Sequence, residues 1–210
     1  MGKFGYYDGE IVTKWEDDGR FMTLINTVKY VDPAGVEWFA PAGSRTDGAS
    51  IPQIAWTLVG GPYEGKHRKA AVFHDVACVE KTRSWEQVHR MFYSAMQEAG
   101  VPELTAKQMF AAVYAFGPKW ELSPSSPQPS IFEPDLQPEV TRSGKAKGGT
   151  RVQMDEMSRA SADLPSGISV PPPLSEFKPT DRAEFEDLKQ KIAVENLSLE
   201  EIESFVQAKS

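Results

Sequence analysis

The stretch GKHRKAAVFHDVACVEKTRSWEQVHRMFYSAMQEAGVPELTAKQMFAAVYAFG, residues 65–117, carries three successive runs of helical periodicity. In the first run Ala70, Ala71, His74 and Cys78 share one stripe. Ser84 stands as the N-cap of the second, whose inner face is Trp85, Val88, His89, Phe92, Ala95, Met96 and Ala99. Gly100 ends that helix and Pro102 blocks its continuation. Thr105 caps the third, which runs through Met109, Phe110, Val113 and Tyr114 to Gly117-Pro118. Upstream the period changes. Phe21 to Tyr30 is rich in β-branched and aromatic residues and reads as a strand. Asp32-Pro-Ala-Gly35 is a turn, and Val36 to Ala40 is a second strand, which gives a hairpin over 21–40. Phe4 to Val12 adds an edge strand, and Thr46-Asp-Gly-Ala-Ser-Ile-Pro52 is a loop. The expected fold class is α+β: a small antiparallel sheet followed by three packed helices.

The rest of the 210-residue chain has a different chemistry. All five Trp, all six Tyr and all three His precede residue 121, whereas ten of the 16 Pro lie between Pro124 and Pro179. Residues 1–122 can therefore bury a core. Residues 123–180 contain SPSSPQPS, SGKAKGGT and PSGISVPPPL, with almost no apolar period. Such a segment gains too little burial to offset its ordering entropy, so an extended Pro/Gly/Ser-rich linker arm is expected there. Residues 181–210 change again. Asp181 with Glu184 can open a helix in which Phe185, Leu188 and Ile192 recur at helical spacing. Ser198-Leu-Glu-Glu201 is a capping box ahead of Ile202, Phe205 and Val206. Two short amphipathic helices broken near Asn196 follow from this. Helices this short are marginal alone, so their apolar faces need a surface, either the chain's own domain or a partner. Phe185, Leu188, Ile192, Ile202, Phe205 and Val206 are the candidate partner-binding residues.

Charge and composition exclude several function classes. The net charge is −7 and the sequence pI about 5.1. Nonspecific binding to nucleic acid or to an anionic membrane needs the opposite balance. No window approaches the ~20 apolar residues of a membrane span. The opening MGKFGYYDGE shows no apolar stretch after a basic patch, so no secretory signal peptide is read there. A single cysteine, Cys78, rules out an internal disulfide and a cysteine-built zinc cage, and it suits a reducing compartment.

Three places can carry chemistry. Asp47-Gly48 sits in a loop where the carboxylate can face outward or cap its own backbone. His74-Asp75 lies on a helix, with His74 on the buried stripe. A histidine there is ordinarily a satisfied core residue, but a carboxylate that orients it makes it a general base or a metal ligand. His89 lies on the inner face of the next helix, and antiparallel packing brings it toward His74. His74, Asp75 and Asp47 are thus the candidate catalytic group, and His74, His89 and Asp47 the candidate ligands of a divalent metal. The spacing is not that of the HExxH zinc helix. A structural chain needs no cofactor; the metal belongs to the enzymatic reading alone.

The order of these motifs resembles an uncharacterised domain family of phages and prophages. The features that carry the resemblance are the TDGASIP loop, Trp56, the helix carrying His74-Asp75, Arg83, Phe92, and the Gly117-to-Trp120 ending. Together they span about residues 20–121 and leave 123–210 outside. The chain departs from the family pattern at His89, where an Asp is usual. The resemblance implies a phage setting and names no reaction. A fainter likeness to phospholipase A2 rests on Gly60-Gly61 ahead of a helical His-Asp pair, which in that enzyme activates water and helps bind calcium.

The reading that joins these features is a virion-associated structural or accessory protein of the tail, baseplate or head–tail region. It is made in the host cytoplasm, belongs to an oligomer or multi-protein assembly, and is tethered to other phage subunits by its C-terminal arm. An alternative is a His/Asp-dependent hydrolase acting on cell-envelope material, and a further one an inhibitor of a host defence.

Overall fold

One bend divides the strands of the N-terminal segment between two sheets. The computed structural model describes residues 2–17, 21–46, 52–55, 65–122 and 179–209. The stretch expected as a single strand over 21–30 is two strands, β3 (Met22–Leu24) and β4 (Val28–Val31). The intervening Ile25-Asn26-Thr27 gives its polar groups to neighbouring segments instead of a ladder. The Asn26 amide donates to the Glu10 carbonyl, and the Ala42 N–H donates to Thr27 Oγ1. Asn and Thr compete for backbone partners in this way wherever a strand can turn. In one sheet β4 is central, paired antiparallel with β1 (Tyr6–Asp8) and β5 (Glu37–Ala40). In the other β3 is central, between β2 (Thr13–Trp15) and β6 (Arg45–Thr46). The edge strand expected over 4–12 is β1, and the hairpin is β4–β5, closed by Asp32. That carboxylate accepts from the Ala34 and Val36 N–H groups and from Trp38 Nε1, which fixes the turn and an aromatic at once.

The three central helices are α1 (Arg68–Glu80), α2 (Trp85–Glu98) and α3 (Glu103–Phe116). Lys81 closes α1 in the left-handed region and its N–H donates to the Ala77 carbonyl. Ser84 and Gln87 form the capping box that starts α2. The third helix begins at Glu103, before the expected cap Thr105, because Pro102 sets the first turn with no N–H to satisfy. Tyr30, Phe73, Phe92, Phe110 and Tyr114 are fully buried between helices and sheet. Tyr7, Tyr30 and Phe73 stack at 5.1–6.0 Å between ring centres. The tyrosine hydroxyls are satisfied by donation, Tyr7 to the Ala95 carbonyl and Tyr30 to that of Phe4.

The C-terminal pair is α4 (Pro179–Glu195) and α5 (Leu199–Gln207), with the Ser198/Glu201 capping box formed as the sequence indicates. The first helix starts at Pro179 rather than after Asp181, since proline suits an opening turn. The surface that covers both helices belongs to the same chain. Phe185, Leu188, Ile192, Ile202 and Val206 are buried in a core continuous with Phe110 and Val113 of α3, and Phe205 is half-buried. Arg90 of α2 clamps Glu203 through two contacts of 2.7 Å and reaches Glu200 at 3.0 Å. Lys107 donates to Asn196 Oδ1 at the break between the helices, and Gln207 donates to the Tyr114 hydroxyl. The face offered to a partner by sequence is therefore taken by α2 and α3, because that surface supplies both the apolar contact and the charge complement. The arm expected over 123–180 lies almost wholly outside the described residues. No described helix is long and apolar enough to cross a membrane.

Candidate functional site

A connection of four residues, 81–84, folds α2 back on α1, so the inner stripes of the two helices meet. His74 Nε2 lies 2.9 Å from His89 Nδ1, with ring centres 5.1 Å apart. The contact is a hydrogen bond when both neutral rings carry the proton on Nε2, so that His74 donates, or both on Nδ1, so that His89 donates. The pair is walled by rings: Phe92 lies 4.6 Å from His74, and Trp85 lies 5.5 Å from His89 and 4.8 Å from Tyr114. Cys78, one turn after His74, places its sulfur 3.8–3.9 Å from that imidazole.

Both histidines have no exposed surface. Burial holds His74 well below its usual range, and the neighbouring His89 adds to the effect. Burial likewise pushes His89 down to about 3; the Pro118 carbonyl opposes the shift, and Lys119 reinforces it. No hydrogen bond of ordinary geometry reaches His89 Nε2 among the described residues. The pair is therefore neutral at pH 7, since protonating either ring would bury a charge beside a second imidazole. His67 is also buried, at the first turn of α1. Burial, with Arg68 beside it, lowers it to about 4. It lies two turns from His74, too far to join the pair.

The other candidates are placed differently. Asp75 is buried, and its Oδ2 accepts from the Thr46 hydroxyl at 2.5 Å. Successive helical residues point about 100° apart, so His74 faces α2 while Asp75 faces β6. Its hydrogen bond to a described residue thus runs to Thr46, the last residue before the Asp47 loop, rather than to His74. Asp47 and Gly60-Gly61 lie outside the described residues. Among the described residues no group of three or more His, Cys, Asp or Glu side chains could hold a metal ion. The structure brings His74 and His89 together as the helical stripes indicate. Thr46 as the partner of Asp75 was not foreseen, because a two-residue strand has no period to read. Cys78 beside His74 was legible in the i, i+4 spacing.

Residues 22–113 match the model of a family described as "Protein of unknown function (DUF1353)". The match covers the strands from β3 onward and most of the three helices, and stops before α4. Two relatives come from Sinorhizobium fredii (strain NBRC 101917 / NGR234). Uncharacterized protein y4jT is 46% identical over 106 residues, which are 50% of this chain and 32% of that protein. Uncharacterized protein y4iH is 46% identical over 91 residues, 43% of this chain and 38% of its own length. The matched part thus spans about a third of each curated relative. No solved structure matches the chain.

Proposed function

We propose that this chain is a bacteriophage-type structural or accessory protein of the tail, baseplate or head–tail region, with no hydrolytic step of its own. The observation that carries this reading is the sealed imidazole pair. His74 and His89 have no exposed surface, hydrogen-bond to each other, and sit behind Phe92 and Trp85. A general base must come within hydrogen-bonding reach of a substrate proton, and neither imidazole has exposed surface. The pair then acts as a polar fastener between α1 and α2. The phage setting rests on the motif order in residues 20–121. The C-terminal helices grip their own body, so contact with a neighbouring subunit falls to residues 123–178 or to exchange of α4–α5 between copies.

The test is mass spectrometry of purified particles from a host carrying the gene in a prophage. Recovery of peptides from 22–113 at a stoichiometric level is expected; their absence from particles but presence in the lysate overturns the reading. A second reading, the His/Asp hydrolase, is favoured by one feature: Asp75, on the histidine helix, accepts from Thr46, the residue that precedes Asp47 in sequence. Envelope hydrolysis that disappears in His74→Ala would establish it over the first.

A further inference from the structure

The strongest unassigned feature is a cavity of ≈ 410 Å³ between the β2–β3–β6 sheet and the start of α1. Lys66, Arg68 and Lys69 line it, and all three are exposed. None of them forms an ion pair with any described carboxylate, in a chain whose net charge is −7 and whose carboxylates outnumber its cations 30 to 23. Lys29, Arg45, Arg90, Lys107, Lys189, Lys191 and Lys209 each have a described carboxylate within 4 Å, whereas other surface cations such as Lys14 and Lys119 do not; what distinguishes Lys66, Arg68 and Lys69 is that all three line one concavity. Lys69 Nζ also lies 5.9 Å from the centre of the Tyr7 ring, and together the three cations give the concavity a positive potential that favours an anion. His67, in the same run, is held neutral by burial, so the positive charge of this wall belongs to the other three. Among the described residues the apolar lining comes from Ile11 and Met22 on the sheet side and from Val72 on α1, one turn after Arg68. The Thr13 and Thr46 hydroxyls at the cavity already donate, to Met22 Sδ and Asp75 Oδ2. Recognition therefore rests on charge plus apolar contact.

We infer that this cavity binds a small phosphate monoester, its dianionic group on Lys66, Arg68 and Lys69 and its apolar group against Ile11, Met22 and Val72. A phosphate is preferred over a carboxylate because its second negative charge and third oxygen match three cations. The cavity volume is that of a small-molecule site. An extended polyanion is disfavoured by the acidity of the remaining surface.

Titration of the full chain with phenyl phosphate, by calorimetry and by amide chemical shifts in 50 mM salt, tests the assignment. Saturable binding is expected, with shifts concentrated at Thr13, Thr46 and residues 65–72. Affinity for phenyl phosphate should exceed that for inorganic phosphate at least about threefold, through burial of the ring, and benzyl alcohol should not bind. Arg68→Gln/Lys69→Gln should weaken binding by about tenfold or more, with an unchanged circular dichroism spectrum, because both side chains are exposed. Lys66→Gln should produce a smaller loss. Binding that is absent, that maps elsewhere, that is equal for the two phosphates, or that survives the double substitution overturns the inference.

Discussion

His74, His89 and His67 make the fold sensitive to acid in a definite direction. Each has a folded-state pKa lowered by burial, to about 3 for His89 and about 4 for His67. The unfolded chain takes up protons near pH 6.5, where a free imidazole titrates, while the folded chain does not. Stability is therefore complete above pH 6.5 and falls as the pH drops toward 4 and then 3. Each histidine still neutral in the fold costs about 1.4 kcal/mol per pH unit through that window. Thermal melts from pH 7 to pH 4 should show a steep fall in Tm. His74→Leu/His89→Leu, which removes two of these groups and keeps an apolar fill, should leave only the shallower dependence due to His67. An equal slope in both proteins would mean that the pair does not stay neutral. The meeting of His74 with His89 was legible in two helical stripes joined by a short connection. Their complete burial was not, because it depends on Tyr114 of α3 closing against Trp85 and Phe92 of α2.

At the level of elements, the C-terminal helices show what a local signal can and cannot specify. The N-cap at Ser84 and the capping box at Ser198 are short-range patterns, and both form, the first completed into a box by Gln87. The break at Asn196 also holds, with that residue at φ +53°. What the helices rest on is a long-range matter, settled by Arg90 meeting Glu203 some 113 positions away. Sequence pattern alone admits the chain's own body or a partner, and it points to Phe185, Leu188, Ile192, Ile202, Phe205 and Val206 as partner-binding, whereas in the fold they pack on their own body. The strand over 21–30 failed for the reverse reason: its β-propensity is genuine on both sides, but Asn26 and Thr27 hand their hydrogen bonds to other segments. Two expectations follow for α5. Arg90→Ala should cost about 1 kcal/mol, since the guanidinium is 42% exposed while Glu203 is only 15% exposed. Hydrogen exchange should quicken over 199–207 with little change in α1. Ile202→Ala, at a side chain with no exposed surface, should cost about 2–4 kcal/mol and loosen both terminal helices. An unaltered exchange pattern in Ile202→Ala would show that α5 is not docked.

For the whole molecule, the decisive relation is between the body and the terminal pair, which residues 123–178 join in sequence. Phe185, Leu188, Ile192, Leu197, Ile202 and Val206 bury their surface against the body, so the chain's covalent continuity is not what keeps the pair in place. Continuity adds effective concentration, which matters only when the intrinsic contact is weak. A protease site inserted between Gly148 and Gly149 separates these contributions. After cleavage, the fragment holding 179–210 should co-elute with the body at about 10 μM and come off on dilution, as a bimolecular contact must. The same cut in Arg90→Glu/Ile202→Asp should release it at every concentration. Both substitutions act on one interface, through the charge clamp and the apolar seat. Mixing cleaved bodies with isotope-labelled tails should then give exchange between molecules. That exchange is the step by which a cis-docked tail becomes a link between subunits, so its failure would confine the terminal helices to stabilising their own body.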